Sequence, residues 1–139
     1  NGIVRMQNGS SLTMFDNYHP ETSTGSFASW VDGKLIRQLN HGSSDHLFMI
    51  GKGNRPRYTS LFNVQHVSGN QFWGMEYFAQ NPAGNGLDPE AIEGGDLKIV
   101  SDLEYWQLEG PSGGSARVEL SWGPESAIPD VDPVMLESY

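Results

Sequence analysis

Apolar residues along this chain come in short runs, many of them alternating with polar ones, and Gly, Pro, Asn and Asp cut the runs apart. That spacing predicts strands, because a strand sends successive side chains to opposite faces. Residues 3–6 and 12–15 form two such runs around Asn8-Gly9, a pair that supplies positive φ for a tight turn. Residues 27–31 and 34–39 flank Asp32-Gly33, another hairpin-type pair. Residues 46–50 are an apolar run of strand length, broken by residues 51–56 (GKGNRP). Residues 57–67 alternate well, with Tyr58, Leu61, Phe62, Val64 and Val67 as core candidates. Residues 71–79 (QFWGMEYFA), 103–108 (LEYWQL) and 116–122 (ARVELSW) complete the pattern. Residues 80–96 read as the longest loop, with one helical turn expected around residues 89–93, and a short apolar run at Val134, Met135 and Leu136 closes the chain.

No segment sustains the i, i+3, i+4, i+7 spacing of an amphipathic helix. The expected fold is therefore all-β: an antiparallel β-sandwich, immunoglobulin- or jelly-roll-like, of about nine or ten short strands. Trp106 and Trp122 sit in the best alternating runs and are expected between the two sheets. One domain is expected over residues 1–139, and the opening pair over residues 1–16 resembles a rung of a β-solenoid or a linker leading into it.

Composition narrows the class. The chain has 17 Gly and 8 Pro, which makes it rich in turns, and 4 Trp, 5 Tyr and 6 Phe, enough bulk for one core. No apolar run is long enough to span a bilayer, so membrane insertion is not expected. Eight Lys and Arg against 17 Asp and Glu give a net charge of −9. A nucleic-acid partner would need a basic footprint, and none is present. The absence of Cys excludes a disulfide framework, a thiolate nucleophile and Cys-based zinc sites. The sequence opens on Asn1 and not on Met, which fits a mature part or excerpt of a longer product.

Candidate chemistry is sparse. His19, His41, His46 and His66 lack zinc-type spacing. No G-x-S-x-G elbow occurs, and Lys52 lies in a Gly-rich run without phosphate-loop spacing. The loop residues Asp88, Glu90, Glu93 and Asp96, with Asp102 and Glu104 nearby, form a calcium candidate, since Ca²⁺ takes several oxygen ligands. Asp130 and Asp132 form a weaker one. The aromatics Trp30, Phe72, Trp73, Tyr77, Phe78, Tyr105, Trp106 and Trp122 offer material for a sugar-stacking platform, to the extent that they are exposed.

The ordered series Trp30-Val31-Asp32-Gly33, Phe48 to Gly53, Glu76-Tyr77-Phe78, Glu104-Tyr105-Trp106 and Leu120-Ser121-Trp122 resembles a domain of large secreted surface proteins of Bacteroidetes. The resemblance covers roughly residues 26–137. It departs from the family pattern at Lys34 and Ile50, where Pro is usual, and in the acidic stretch before Asp96. It implies an all-β module, often placed after β-solenoid-like repeats and upstream of a sorting domain of the type IX secretion route. The family supplies no catalytic residues to carry over. What the resemblance implies is a non-catalytic structural or adhesive module of an exported bacterial surface or extracellular protein: a spacer, stalk or filament segment. Its expected partners are neighbouring domains, copies of itself or a surface glycan, with no cofactor unless the acidic loop holds calcium. The alternative is a carbohydrate-binding or Ca²⁺-dependent adhesive module.

Overall fold

The computed structural model describes residues 2–15, 25–39, 45–65, 71–88 and 101–126. Nine strands form among them: β1 (Gly2–Arg5), β2 (Ser11–Met14), β3 (Ser29–Asp32), β4 (Lys34–Gln38), β5 (His46–Lys52), β6 (Arg55–Gln65), β7 (Phe72–Phe78), β8 (Tyr105–Glu109) and β9 (Ser115–Leu120). The described residues contain no α-helix, only 3-10 turns at Pro82–Asn85 and Pro124–Ser126. The expected helical turn at residues 89–93 and the apolar run at residues 134–136 lie outside the described residues, as does Val67.

The strands make an all-β sandwich. A five-stranded sheet in the order β1-β3-β5-β6-β9 packs on a four-stranded sheet in the order β2-β4-β7-β8. Gly53-Asn54 closes a hairpin between β5 and β6, which pair from His46↔Leu61 to Lys52↔Arg55. Asn8-Gly9 and Asp32-Gly33 do not make the hairpins that their composition predicts. β1 runs parallel to β3, from Gly2↔Ser29 to Arg5↔Asp32. β2 runs parallel to β4, from Ser11↔Lys34 to Met14↔Arg37. At both turns the chain leaves one sheet and enters the other. Between β3 and β4 the physical reason is length: Gly33 alone connects them, and a hairpin loop needs at least two residues.

Gly33 adopts φ +134°, a conformation that side chains resist, and a Cβ there would stand 2.7 Å from that of Met6. The first corner of the chain therefore lies against the second. Met6 N–H donates to the Asp32 carbonyl (2.9 Å), which carries the β1–β3 ladder into this corner.

Two contacts across the sheets show which side chains face the interior. The Arg57 guanidinium on β6 lies 5.2 Å from the Tyr77 ring centre on β7, and that of Arg37 on β4 lies 5.5 Å from Phe48 on β5. Alternation then directs Val31, Phe48, Ile50, Thr59 and Leu61 inward from one sheet, and Leu35, Trp73 and Met75 inward from the other; all are buried. Burial of each large side chain stabilises the fold by roughly 1.5–3 kcal/mol. Both arginines are buried in this core with their planar cations on aromatic faces. Asn63 takes φ +50°, and the β6–β9 register shifts between Phe62 and Gln65. This bulge changes the parity, so that Leu61 and Val64 are both buried although three residues apart.

Of the two tryptophans expected between the sheets, Trp106 packs against an interior side chain and Trp122 departs from expectation. Trp106 is half-buried, with its ring centre 5.3 Å from that of Tyr77. Trp122 is 58% exposed. β9 ends at Leu120 and is the last strand of its sheet, so the alternation has no further ladder to hold Trp122 inward.

The described residues that fall within 1–78 and 106–121 form one compact unit, the sandwich, and those that fall within 79–105 and 122–139 form a smaller one. In the smaller unit Asn81 Oδ1 accepts from the Ala83 N–H (2.8 Å) and caps the turn at Pro82–Asn85. Asn85 Nδ2 donates to the Tyr105 hydroxyl (2.7 Å), and the Ser101 hydroxyl donates to the Ser126 carbonyl (3.1 Å). Glu104 and Ser126 are buried there.

Candidate functional site

The described residues of the sandwich concentrate their charged contacts at the corner where β3 becomes β4. Asp32 is buried at the end of β3. Its Oδ1 lies 3.2 Å from Lys52 Nζ, its Oδ2 lies 3.7 Å from Arg5 Nε, and Oδ2 also accepts from the Gly53 N–H (3.0 Å). A carboxylate removed from water needs such partners, because desolvation otherwise penalises its charge. Asp32 thereby joins three strands: β1 through Arg5, its own β3, and the end of β5 with its hairpin turn.

On the four-stranded sheet, Lys34 pairs with Glu109. Glu76 on β7 is half-buried, and desolvation raises its carboxyl above the ordinary range. Lys52 and Lys34 oppose that rise, while Glu109 and Asp32 add to it. The two sets of charges, Arg5, Asp32 and Lys52 with Lys34, Glu76 and Glu109, balance in sign. Chemically they clamp a corner. No nucleophile–base pair and no convergent set of metal ligands arises from them.

The second feature is the edge of the stack. Among the described residues, β1 and β2 are end strands of their respective sheets. Val4 continues the inward column of Val31, yet it is 50% exposed where Val31 is 3% exposed. Leu12 and Met14 are half-buried, whereas their register partners Leu35 and Arg37 are buried. The interior thus runs open along β1 and β2.

The calcium candidates fare as follows. Asp88 is exposed just beyond the turn at Pro82–Asn85, while Glu90, Glu93, Asp96, Asp130 and Asp132 lie outside the described residues. Asp102 is exposed and Glu104 is buried, two residues apart. Among the described residues no three His, Asp or Glu side chains are grouped as a metal site would need. His46 is buried in β5, and His19, His41 and His66 lie outside the described residues. Lys52, in the Gly-rich run, serves the corner through Asp32. Of the aromatics, Trp30, Trp73 and Tyr77 are buried in the sandwich, Phe72, Phe78 and Tyr105 are intermediate, and Trp122 is exposed. Among the described residues, the most exposed aromatic side chains besides Trp122 are Phe15 and Phe27, which are not among the platform candidates.

The sequence reading missed Asp32 as an organising residue because Asp-Gly reads as hairpin punctuation. No local signal separated the two readings, because Asp32-Gly33 between the runs 27–31 and 34–39 has the length of a hairpin loop, and only the pairing of Asp32 within β3 leaves Gly33 alone as the connection. No helix among the described residues is long and apolar enough to cross a membrane. Comparison with known proteins found no matching family model, no similar curated protein and no similar solved structure.

Proposed function

We propose that this chain is a non-catalytic structural module of an exported bacterial surface or extracellular protein, acting as a spacer, stalk or filament segment. The observation that supports this best is the parallel, in-register stacking of β1–β2 on β3–β4. Such stacking repeats along one axis and builds length; it does not enclose a substrate. The charged corner supports the same reading, since Asp32 engages Arg5, Lys52 and the Gly53 N–H within the fold. The sequence resemblance supplies the exported setting.

The test is a domain exchange in the full-length protein. Replacing residues 26–121 by an unrelated β-sandwich of similar span should preserve surface display and the activities of flanking parts. Loss of cell or glycan adhesion, with display intact, would reject the spacer and favour the adhesive module. Calcium has its own measurement, a thermal melt in millimolar Ca²⁺ against chelator. Little shift is expected, and a large rise abolished by Asp96→Ala would place a bound cation in the function.

A further inference from the structure

We infer that the corner Asn8-Gly9 is a site of spontaneous covalent modification, at which Asn8 closes to a succinimide and reopens as aspartate or isoaspartate. The fold presents this Asn-Gly pair to the reaction and withholds the same pair at Asn85-Gly86.

In the first step the Gly9 amide nitrogen attacks Cγ of Asn8. The N–Cγ bond forms, the Cγ–Nδ2 bond breaks, and the Gly9 amide proton leaves with Nδ2 as ammonia. Water then cleaves one of two bonds in the ring. Cleavage of the new N–Cγ bond gives aspartate, and cleavage of the original peptide bond gives isoaspartate, whose main chain runs through Cβ and Cγ. A following Gly favours the attack because no Cβ crowds the nitrogen.

The geometry at Asn8 suits ring closure. Ser10 N–H donates to the Gln7 carbonyl (3.0 Å), and the Ser10 hydroxyl donates to that carbonyl (2.7 Å) and accepts from the Gln7 N–H (3.2 Å). The two ends of the turn are therefore held. Between them Asn8 and Gly9 have φ values of +54° and +72°, the pattern of a type I′ turn. Closure makes the Gly9 nitrogen coplanar with Cα, Cβ and Cγ of Asn8. That sets ψ of Asn8 at about −120°, the value at the first central position of a type II′ turn. A flip of the Asn8-Gly9 peptide plane converts one turn into the other, leaving φ of Asn8 in place and carrying Gly9 to a negative φ that glycine accepts. No hydrogen bond among the described residues holds that peptide or the Asn8 side chain, and a Cβ at Gly9 would meet nothing within 4 Å. Both residues are exposed to water.

Asn85-Gly86 is exposed as well, yet both of its reacting groups are engaged. Asn85 Nδ2, the leaving nitrogen, donates to the Tyr105 hydroxyl (2.7 Å), and the Gly86 N–H, the attacking nitrogen, donates to the Ala83 carbonyl (3.1 Å). Breaking two such hydrogen bonds before attack slows the reaction by about tenfold or more. Asn1, of the pair Asn1-Gly2, lies outside the described residues.

Modification alters the corner. Either product adds a carboxylate, and isoaspartate adds one atom to the main chain. Met6, two residues before, donates its N–H to the Asp32 carbonyl (2.9 Å) and crowds Gly33. A lengthened corner loosens that bond first.

The experiment incubates the intact chain at mildly alkaline pH and locates amide-to-acid conversion by peptide mass spectrometry, with protected Leu35 and Phe48 amides showing that the sandwich stays folded. Asn8 should convert at least about tenfold faster than Asn85. In concentrated urea the two rates should converge, because only the dipeptide remains to set them. Tyr105→Phe should raise the rate at Asn85 and leave that at Asn8 unchanged. Isoaspartate should accumulate at Asn8 together with aspartate, and the Met6 amide of the aged chain should exchange faster than in the fresh one. A folded chain in which Asn8 converts no faster than Asn85 overturns the inference. Conversion of Asn8 to aspartate without isoaspartate also overturns it, by removing the succinimide.

Discussion

The rung formed by β1 and β2 and the rung formed by β3 and β4 have the same construction and opposite surroundings. Each is two short strands split between the sheets by a corner with positive φ, and the two stack in register. Yet Leu35 is fully buried, whereas Leu12, its partner, is half-buried. Backbone geometry alone does not decide how much an apolar side chain contributes; the number of neighbours on either side does. An inner rung is core, and an outer rung of the same kind is an interface or a cap.

The largest expected effect tests that contrast directly. Leu35→Ala should cost about 2–5 kcal/mol in denaturant unfolding, the range for truncation in a packed core. Leu12→Ala should cost about 1 kcal/mol, because less apolar surface leaves water at that site. Equal losses would mean that the outer rung is as much core as the inner one.

The corners should differ next. Gly33→Ala faces both an unfavourable φ and the Met6 side chain, and should destabilise by about 1–3 kcal/mol. Gly9→Ala meets only the φ cost, of about 1 kcal/mol. Adding Met6→Gly, which removes both the Cβ and the Cγ that crowd this position, to Gly33→Ala should recover part of the loss, and a double-mutant cycle would measure the coupling. Strict additivity would show that the corners do not press on one another.

A smaller effect separates the charges by position. Glu76 lies on the interior strand β7, and desolvation raises its carboxyl above the ordinary value of 4.5. The native state therefore holds its proton to higher pH than the unfolded chain does. Its contribution to stability is complete below about pH 4.5 and is lost as pH rises through the native value. Glu76→Gln should accordingly gain stability relative to the parent between about pH 4 and pH 7 in paired urea titrations. A difference that stays flat with pH would remove the burial effect. The smallest effect belongs to the partly exposed Lys34–Glu109 pair, where a double-mutant cycle should give about 0.2–1 kcal/mol, reduced by salt.

Much of this architecture was legible in the chain. Alternation located the strands to within a few residues: the run at 71–79 became β7 (Phe72–Phe78), and the run at 57–67 became β6 (Arg55–Gln65). The breaker GKGNRP marked a real hairpin turn, because the residues on both sides pair with each other. The organising carboxylate was not legible. Asp32 draws its partners from positions 5, 52 and 53, and no local spacing connects those segments.

The sequence by itself determined the strand period, the corners at which the chain must turn, and the supply of aromatic and aliphatic bulk for a two-sheet core. These are local properties, set by side-chain alternation and by which residues tolerate positive φ. Pairing was decided only in the tertiary structure. Whether strands on either side of a turn bond to each other or to strands some 27 residues away depends on where their apolar faces meet a common interior. The same holds for Trp122, which alternation directs inward but which lies beyond the end of the last ladder in its sheet, 58% exposed. A side chain is core only when a neighbouring strand lies across it, and the neighbour comes from elsewhere in the chain.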